Sequence, residues 1–183
     1  KASKNINRLI ALLDDLDMIT RLESGEGYLN IKEVNLVELV EEVISFLERN
    51  AKEKKINLFL DAKGVEQLNV RCDPSKIHQV LTNLIVNSIN YGSEGGYTKL
   101  SFHDMDDHIM VDVKDNGIGI SKEHLPRLFE RFYRIDKSRA RHQGGSGLGL
   151  AIVKHIIDAH EQTISVSSDE GKGSRFSFTL QKA

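Results

Sequence analysis

Three absences narrow what this chain of 183 residues can be. Its single cysteine, Cys72, excludes an intrachain disulfide and a zinc site made of cysteines. No stretch approaches the ~20 consecutive apolar residues that a membrane-spanning helix needs. Its 25 basic and 27 acidic residues nearly balance, so no basic field attracts nucleic acid. These bounds leave one ordinary domain, with or without a short appendage, large enough to bury a full core.

The seven histidines lack the spacing of a metal site. No pair follows the His-x-x-x-His pattern that places two imidazoles on one face of a helix, so we predict no zinc site. We interpret His155 as structural or exposed on a predicted helix, and His160 as an ordinary surface residue at the end of that helix.

Hydrophobic periodicity predicts four helices and several short strands, with no internal repeat. The helices are predicted over 1–24, 36–54, 74–91 and 148–160, and the strands over 28–34, 56–60, 68–72, 98–103, 108–113, 164–167 and 174–180. The elements alternate irregularly, with hairpins rather than strict crossovers, which favours a two-layer α/β (α+β) sandwich. We expect a mixed, mainly antiparallel sheet of about five strands, with three helices on one face and an additional N-terminal helix.

Two of the predicted helices have recognisable N-caps. Asn35 precedes one of them and Glu38 stands three residues further on, which is the pattern of a capping box. Asp73 precedes Pro74, and this pairs a capping carboxylate with proline at the first helical position. We therefore expect these helices to begin at residues 36 and 74.

The first predicted helix carries an apolar stripe with alternating spacings of three and four, at Ile6, Leu9, Leu13 and Leu16. Such a stripe must pack against an apolar partner. We expect that partner to be another helix or a second subunit rather than the domain's own core. Residues 25–27, Gly-Glu-Gly, then predict a linker between a helix over 1–24 and a domain over 28–183. The chain opens in mid-helix without Met, so we expect a fragment of a longer protein.

The strand predicted over 108–113 runs into Asp115, Asn116, Gly117 and Gly119. A carboxylate fixed at a strand end can accept a hydrogen bond from an exocyclic amine, and glycines beside it let the backbone approach a flat ring. The alternative is an ordinary Asp-Asn-Gly turn, which this motif alone does not exclude.

Asn83 and Asn87 are spaced i, i+4 on the helix predicted over 74–91, so both project from one face. Amide oxygens suit Mg²⁺, a hard cation that keeps several waters and shares phosphate ligands. Two buried structural asparagines are the alternative. Tyr91 lies one turn beyond Asn87 and could pack beside a nucleobase.

A glycine-rich segment, residues 144–150, leads directly into the last predicted helix. Its glycines leave amide groups free at a helix N-terminus, a position that favours phosphate. It is not a Walker loop, and it is not a dinucleotide fingerprint because no strand precedes it. A flexible hinge is the alternative. A second glycine-rich segment, residues 171–176, by itself indicates a hairpin turn.

Taken together in sequence order, the Asn83 and Asn87 pair, the turn at Asp115 and the two glycine-rich segments resemble the motifs of the ATP-binding catalytic domain of bacterial sensor histidine kinases. These belong to the GHKL superfamily with its Bergerat fold, which includes gyrase B, Hsp90 and MutL. The matching segments are 83–88 (Asn-Leu-Ile-Val-Asn-Ser, the N box), 115–119 (Asp-Asn-Gly-Ile-Gly, G1), 128–134 (Leu-Phe-Glu-Arg-Phe-Tyr-Arg, the F box), 145–150 (G2) and 171–176 (G3). The likeness covers 28–183, and the F box with the three residues after it is most similar to the phosphate-sensing group.

The resemblance implies that the domain binds ATP and Mg²⁺. Asp115 would bind the adenine amine, Asn87 would ligate Mg²⁺, and Asn83 would assist near the phosphates. A lid over 121–147 would fold over the phosphates, and we expect it to contain one or two short helices and to be mobile. The other ATP-binding positions that the resemblance implies are Asn90, Tyr91, Gly117, Gly119, Ile120, Tyr133, Arg134, Lys137, Gly145, Ser146, Gly147, Leu148, Gly149 and Leu150.

The sequence also departs from the family pattern. Asn90 stands where the family most often has lysine, so we expect one phosphate contact to be absent or mediated by water. Ser88 replaces a common alanine, which is a small change. Residues 160–163, His-Glu-Gln-Thr, replace the His-Gly-Gly of many relatives and imply a different turn.

The function that the resemblance implies is an ATP-dependent protein-histidine kinase, feeding a response-regulator aspartate. Residues 1–24 resemble the second helix of a dimerisation and phosphotransfer hairpin. Its first helix, which carries the phosphoacceptor, is absent, so we assign no catalytic residue and expect no autophosphorylation. The implied partners are that hairpin, a second subunit and a response regulator. The implied location is a cytoplasmic domain of a bacterial sensor anchored in the inner membrane through parts outside this chain.

A nucleotide-gated interaction module of the same fold, without kinase activity, is the main alternative. A serine kinase of the anti-sigma type fits less well because the F box and the N-terminal helix resemble those of histidine kinases. A gyrase- or MutL-like ATPase lacks support because the chain has no long N-terminal arm or transducer region.

Overall fold

The computed structural model of the chain describes residues 2–24, 28–62, 67–135 and 146–183. Within the first helix it describes the side chains of residue 10 and residues 12–21. The predicted linker over 25–27 lies outside the described residues.

The described residues form four α-helices, which begin and end within one or two residues of the predicted positions. They are α1 (Ala2–Glu23), α2 (Leu36–Glu53), α3 (Pro74–Tyr91) and α4 (Gly149–Ala159), and a short 3₁₀-helix covers Leu125–Arg127 in the predicted lid. None of these helices has the length and apolar character needed to cross a membrane.

Both predicted N-caps are confirmed. The Asn35 Oδ1 accepts the Val37 amide at 3.2 Å, while its Nδ2 donates to Glu38 at 2.9 Å, so Glu38 bonds the side chain of the cap rather than its backbone. The Asp73 Oδ1 accepts the amides of Ser75 at 3.0 Å and Lys76 at 3.2 Å. These bonds satisfy amide groups that have no partner within the first helical turn.

Seven strands form one sheet, in the order β1-β3-β7-β5-β4-β2, with β6 also pairing with β7. The strands are β1 (Lys32–Asn35), β2 (Asn57–Asp61), β3 (Asn69–Cys72), β4 (Tyr97–Met105), β5 (His108–Asp115), β6 (Ile164–Asp169) and β7 (Gly173–Lys182). Only β2 and β4 pair in parallel, which confirms the expected mixed and mainly antiparallel sheet.

The expected count of about five strands was wrong, because the sheet contains seven. The sheet can include more strands than expected because β7, with ten residues, is long enough to pair with two strands along one edge. On that edge β6 pairs over residues 173–178 and β3 pairs at Gln181 and Lys182, while β5 occupies the other edge. The first predicted strand is also shorter than expected, since regular pairing begins only at Lys32.

The core lies between the helices and one face of the sheet. Strand β5 shows the alternation, because Ile109, Val111 and Val113 are buried whereas His108 and Met110, on the other face, are half-exposed. The buried sheet face and the helices form one cluster that includes Phe178 of β7, Val43 of α2, Leu84 of α3 and Ile156 of α4. The predicted two-layer sandwich is therefore confirmed.

The C-terminal half of α1 packs on this same core. Ile19 is fully buried, and Leu12 and Leu16 are partly buried against the cluster. Ile10 and Leu13 lie on the exposed side, with 51% and 65% of their surface accessible. Helix α1 therefore covers the domain's own core, the alternative ranked second from the sequence, while part of its apolar stripe is left uncovered.

His160 links the end of α4 to the start of α3, so its interpretation as an ordinary surface residue was wrong. Its Nδ1–H donates to the Ile156 carbonyl at 2.7 Å, and its Nε2 accepts the Asp73 amide at 3.0 Å. A carbonyl can only accept and an amide N–H can only donate, so these partners fix the neutral tautomer. Burial lowers the pKa of His160, against the opposing effects of the Ile156 carbonyl and the Asp73 charge.

We predict that His160 makes the free energy of unfolding depend on pH below neutrality. The folded state binds fewer protons at His160 than the unfolded chain does, because its pKa is lowered from 6.5 on folding. The stabilisation is thus complete above the unfolded pKa and is lost as the pH falls towards the folded pKa. His160→Gln keeps an acceptor for the Asp73 amide and does not titrate. Its free energy of unfolding should therefore decrease less than that of the wild type between about pH 7.5 and 5.5.

Urea denaturation at the two pH values measures this difference. His108→Gln is the matched control, because it removes a half-exposed imidazole at the start of β5. Equal pH dependence in the wild type and His160→Gln would contradict the prediction.

Candidate functional site

A cavity of about 800 Å³ opens between α3, the turn after β5, the lid segment and the start of α4. Thirteen of the positions that the resemblance implied line it: Asn83, Asn87, Asn90, Tyr91, Asp115, Gly119, Ile120, Tyr133, Arg134, Ser146, Gly147, Gly149 and Leu150. The fold thus brings distant parts of the sequence together: among these thirteen positions the largest separation is 67 residues, between Asn83 and Leu150.

Two implied positions that the structure describes, Gly117 and Leu148, do not line the cavity. Gly117 lies behind Asp115 and bonds its carboxylate. The Leu148 side chain is fully buried in the core, just before the first turn of α4, and does not reach the cavity. Lys137 and Gly145 lie outside the described residues, as does the whole of 136–145 within the predicted lid. The expected mobility of the lid stays a prediction.

Asp115 ends β5 and is 7% exposed. Its Oδ1 accepts two backbone hydrogen bonds, from Gly117 at 2.8 Å and from Ser174 at 3.3 Å. Its Oδ2 accepts none from the described residues, and the side chain lines the cavity. Burial raises the pKa of Asp115, while the two amide bonds act in the opposite direction. The carboxylate is therefore held at one oxygen and offers the other as an acceptor.

The glycines around Asp115 pack against other backbone. A Cβ on Gly119 would lie 2.0 Å from the Asp169 carbonyl oxygen, and one on Gly173 would lie 2.1 Å from that of Asp115. Both glycines also have left-handed φ angles, of 68° and 104°. The sequence indicated that the glycines after Asp115 let the backbone approach a flat ring, and that 171–176 form a hairpin turn. The structure adds that Gly119 and Gly173 let the β6–β7 turn lie directly against the turn after β5.

Helices α3 and α4 form the opposite side of the cavity. The Asn83 Nδ2 donates to the Gly149 carbonyl at 3.3 Å, which joins the middle of α3 to the first residue of α4. Asn87 lines the cavity one turn further along α3, and none of the described residues hydrogen-bonds its side chain. Leu148 donates its amide to the Ser146 hydroxyl at 3.2 Å, which orders the turn before α4.

The donor set on this side fits a hard cation only if a ligand completes the coordination. No cluster of three or more histidine, cysteine or acidic side chains suited to a metal occurs in the described parts of the chain. Mg²⁺ takes oxygen ligands and commonly shares them between one or two protein groups, phosphates and water. The Asn87 amide oxygen could supply such a protein ligand.

The lid side of the cavity contains an aromatic cluster that sequence reasoning did not identify. The His124 Nδ1 lies 2.7 Å from the Tyr133 hydroxyl, and the Arg127 guanidinium stacks 4.3 Å from the centre of the Tyr133 ring. Arg127 in turn binds both oxygens of Glu130, at 2.9 to 3.2 Å. Tyr133 is therefore held in place on two sides.

Phe132 connects this cluster to the glycine-rich segment before α4. Its amide donates to the Gly147 carbonyl at 2.9 Å, and its φ angle of 61° is unusual for a bulky residue. A Cβ on Gly147 would lie 3.0 Å from the Phe132 Cα, so the two segments are in direct backbone contact.

Other residues that line the cavity were not assigned to the site from the sequence. Leu128, Ser174 and Phe176 lie within the F box and G3 segments, so those motifs carried a signal for them. Val86 and Ser88 lie within the N box, Ile118 within G1 and Ile135 directly after the F box, so these segments carried a signal for them as well. The lining residues outside the matching segments are Ser121, Glu123, His124 and Glu170.

Comparison with known proteins gives a consistent result. Residues 72–183 match the family model described as histidine kinase-, DNA gyrase B-, and HSP90-like ATPase. Among curated proteins, the sensor histidine kinase WalK of Bacillus subtilis is 38% identical over 175 residues, which are 94% of this chain and 28% of WalK. The chain spans between 28% and 42% of the first curated relatives it matches.

Two solved structures share the fold. Full-length ShkA in complex with AMPPNP superposes with a TM-score of 0.84 at 26% identity, over 96% of this chain and 36% of ShkA. The histidine kinase ThkA in complex with the response regulator protein TrrA superposes with a TM-score of 0.72 at 29% identity, over all of this chain and 52% of ThkA. The family match covers more than half of the 183 residues. This chain therefore belongs to the histidine kinase-, DNA gyrase B- and HSP90-like ATPase family, and its named relatives are sensor histidine kinases.

Proposed function

We propose that residues 28–183 are the catalytic domain of a two-component sensor histidine kinase. The domain would bind ATP and transfer its γ-phosphoryl group to a histidine on a phosphotransfer helix outside this chain. The observation that carries the proposal is the cavity, which has a fixed carboxylate acceptor on one side and amide groups with a helix N-terminus on the other. Its volume of about 800 Å³ lies within the usual range for cofactor-sized ligands.

At the carboxylate side, the Asp115 Oδ2 would accept a hydrogen bond from the adenine amine. Two backbone amides already hold Oδ1, so the carboxylate needs no rearrangement when the base binds. Tyr91 and Tyr133 line the cavity on different elements and would flank the nucleotide.

At the amide side, Asn87 would supply an oxygen ligand to Mg²⁺, and Asn83 and the first turn of α4 would lie near the phosphates. Arg134 adds a positive charge on the lid side. Phosphoryl transfer asks the protein mainly for positioning and for neutralisation of phosphate charge, and Mg²⁺ supplies much of the latter when bound. We propose that Lys137 and Gly145 complete this side.

The remaining parts of the chain fit a kinase built from several domains. We propose that α1 is the second helix of a dimerisation and phosphotransfer hairpin, that residues 25–27 link it to the domain, and that 121–147 form the lid. We also propose a homodimer, a response-regulator partner of the kind bound to ThkA, and a cytoplasmic position in a membrane-anchored bacterial sensor.

We predict that Asp115→Asn weakens ADP binding about 10- to 100-fold, the effect of losing one charge-assisted hydrogen bond. The asparagine oxygen can still accept hydrogen bonds from the Gly117 and Ser174 amides. Its NH₂ group, however, is a donor and so is the adenine amine, so the two cannot form a hydrogen bond. Without nucleotide the variant should be at least as stable as the wild type, because the raised pKa of Asp115 shows that burying its charge is unfavourable.

Calorimetric titration of ADP and thermal denaturation measure these two effects. Asp104→Asn is the matched control: it makes the same substitution at the exposed far end of the β4–β5 hairpin, where Asp104 binds Lys182. Unchanged ADP affinity in Asp115→Asn would rule out the adenine assignment.

We predict that Asn87→Ala removes the magnesium-dependent part of AMPPNP binding. Wild type should bind AMPPNP more tightly with Mg²⁺ than with EDTA, and the variant should show about the same, weaker affinity in both, since one metal ligand is missing. Asn50→Ala, an exposed asparagine of α2, is the control and should behave as the wild type. A variant that keeps the full magnesium effect would refute the assignment.

We predict that the chain labels an added phosphotransfer hairpin from WalK but does not label itself. Incubation with ATP carrying a radiolabelled γ-phosphate, followed by separation of the two proteins, measures both reactions, and Asp115→Asn is the negative control. Stable label on this chain would contradict the prediction. AMPPNP binding without label on the hairpin would favour the alternative, a nucleotide-gated interaction module without kinase activity.

A further inference from the structure

Ser168 is a buried hydroxyl that does not itself line the cavity. It lies near the end of β6 and makes three short hydrogen-bond contacts with groups around Asp115. The Ser168 Oγ lies 2.8 Å from the Ile120 amide, 2.8 Å from the Gly173 carbonyl oxygen and 2.9 Å from the Ser174 Oγ.

The chemistry of these partners determines the direction of every bond. A serine hydroxyl has one proton and two lone pairs. The Gly173 carbonyl can only accept, so the Ser168 proton goes there, and the Ile120 N–H can only donate, so it takes one lone pair. The remaining lone pair of Ser168 can only accept the Ser174 proton.

This arrangement fixes what Ser174 presents to the cavity. Ser174 lines the cavity, and its amide holds the Asp115 Oδ1. Because its proton points to Ser168, its Oγ offers only lone pairs to a ligand or to a bridging water. Asp115 is also only an acceptor when it is ionised. The carboxylate side of the cavity therefore accepts hydrogen bonds and donates none from these two side chains.

We propose that Ser168 is a positioning residue that sets this hydrogen-bond polarity and so favours a 6-aminopurine over a 6-oxopurine. The 6-amino group can donate a hydrogen bond to Asp115 or to the Ser174 Oγ. A 6-oxo group at the same position is itself an acceptor, so its lone pairs would face theirs and no hydrogen bond would form. Ser168 also fastens the segment after Gly119 to the β6–β7 turn, where the missing side chains of Gly119 and Gly173 allow backbone contact. The inference rests on the proposed nucleotide function, and it concerns a residue that touches no substrate.

The test compares Ser168→Ala with Ser168→Thr, which restores a hydroxyl, and with Ser167→Ala, which removes an exposed hydroxyl one residue earlier. Ser168→Ala frees the Ser174 proton to donate into the cavity. ADP affinity should fall about 5- to 10-fold, GDP affinity should fall less or rise, and the ADP-to-GDP preference should narrow. Ser168→Thr and Ser167→Ala should keep the wild-type preference.

Amide hydrogen exchange of Ile120 without nucleotide provides a second readout that is independent of binding. Exchange should be slow in the wild type, Ser168→Thr and Ser167→Ala, and faster in Ser168→Ala. If Ser168→Ala does not fold, Ser174→Ala tests the same acceptor, because it keeps the amide bond to Asp115 and should also narrow the preference.

Each outcome is decisive. The inference would be overturned if a folded Ser168→Ala variant kept the ADP-to-GDP preference of the wild type, even with both affinities reduced equally. Ser168 would then have only a structural role. Loss of the preference in Ser167→Ala would do the same. Slow Ile120 exchange in a wild type that binds no nucleotide would refute the proposed function, and the inference with it, while confirming the hydrogen bond itself.

Discussion

The site depends on a carboxylate that the fold buries and then holds by backbone amides alone. Asp115 is 7% exposed, and the groups that hydrogen-bond it among the described residues are the amides of Gly117 and Ser174. Burial without a cationic partner is unfavourable for an ionised group, and the raised pKa of Asp115 expresses that cost. Both amides bind the same oxygen, so the other oxygen keeps its full acceptor capacity for a ligand.

The sheet topology makes this arrangement possible. Strands β5 and β7 are antiparallel neighbours, paired as far as Lys114 with Arg175, so the residues after β5 and those before β7 meet at one end of the sheet. Side chains at Gly119 and Gly173 would collide with the facing backbone at about 2 Å, which explains why glycine occupies both positions. The G1 segment (115–119) and the G3 segment (171–176), more than fifty residues apart in sequence, are thus in direct backbone contact.

The sequence predicted what is decided locally and missed what is decided by distant partners. The caps of α2 and α3 could be predicted because Asn35 and Asp73 bond amides within three residues. The role of His160 could not, because its partner Asp73 is 87 residues away. Nor could the seven-stranded sheet, since nothing in the β7 segment shows that one edge serves two strands.

Two hydrogen bonds join α3 to α4, and the distance between these bonds is nearly the same along both helices. The Asp73 amide binds His160 at one end, and Asn83 binds the Gly149 carbonyl at the other. Ten residues of α3 separate Asp73 from Asn83, and eleven residues of α4 separate Gly149 from His160. At 1.5 Å per residue these stretches measure roughly 15 and 16 Å, so two helices running in opposite directions can satisfy both contacts without strain. The neutral imidazole at the far end therefore helps to set the position at which Asn83 meets the start of α4. A residue that lines no part of the cavity thus contributes to its shape.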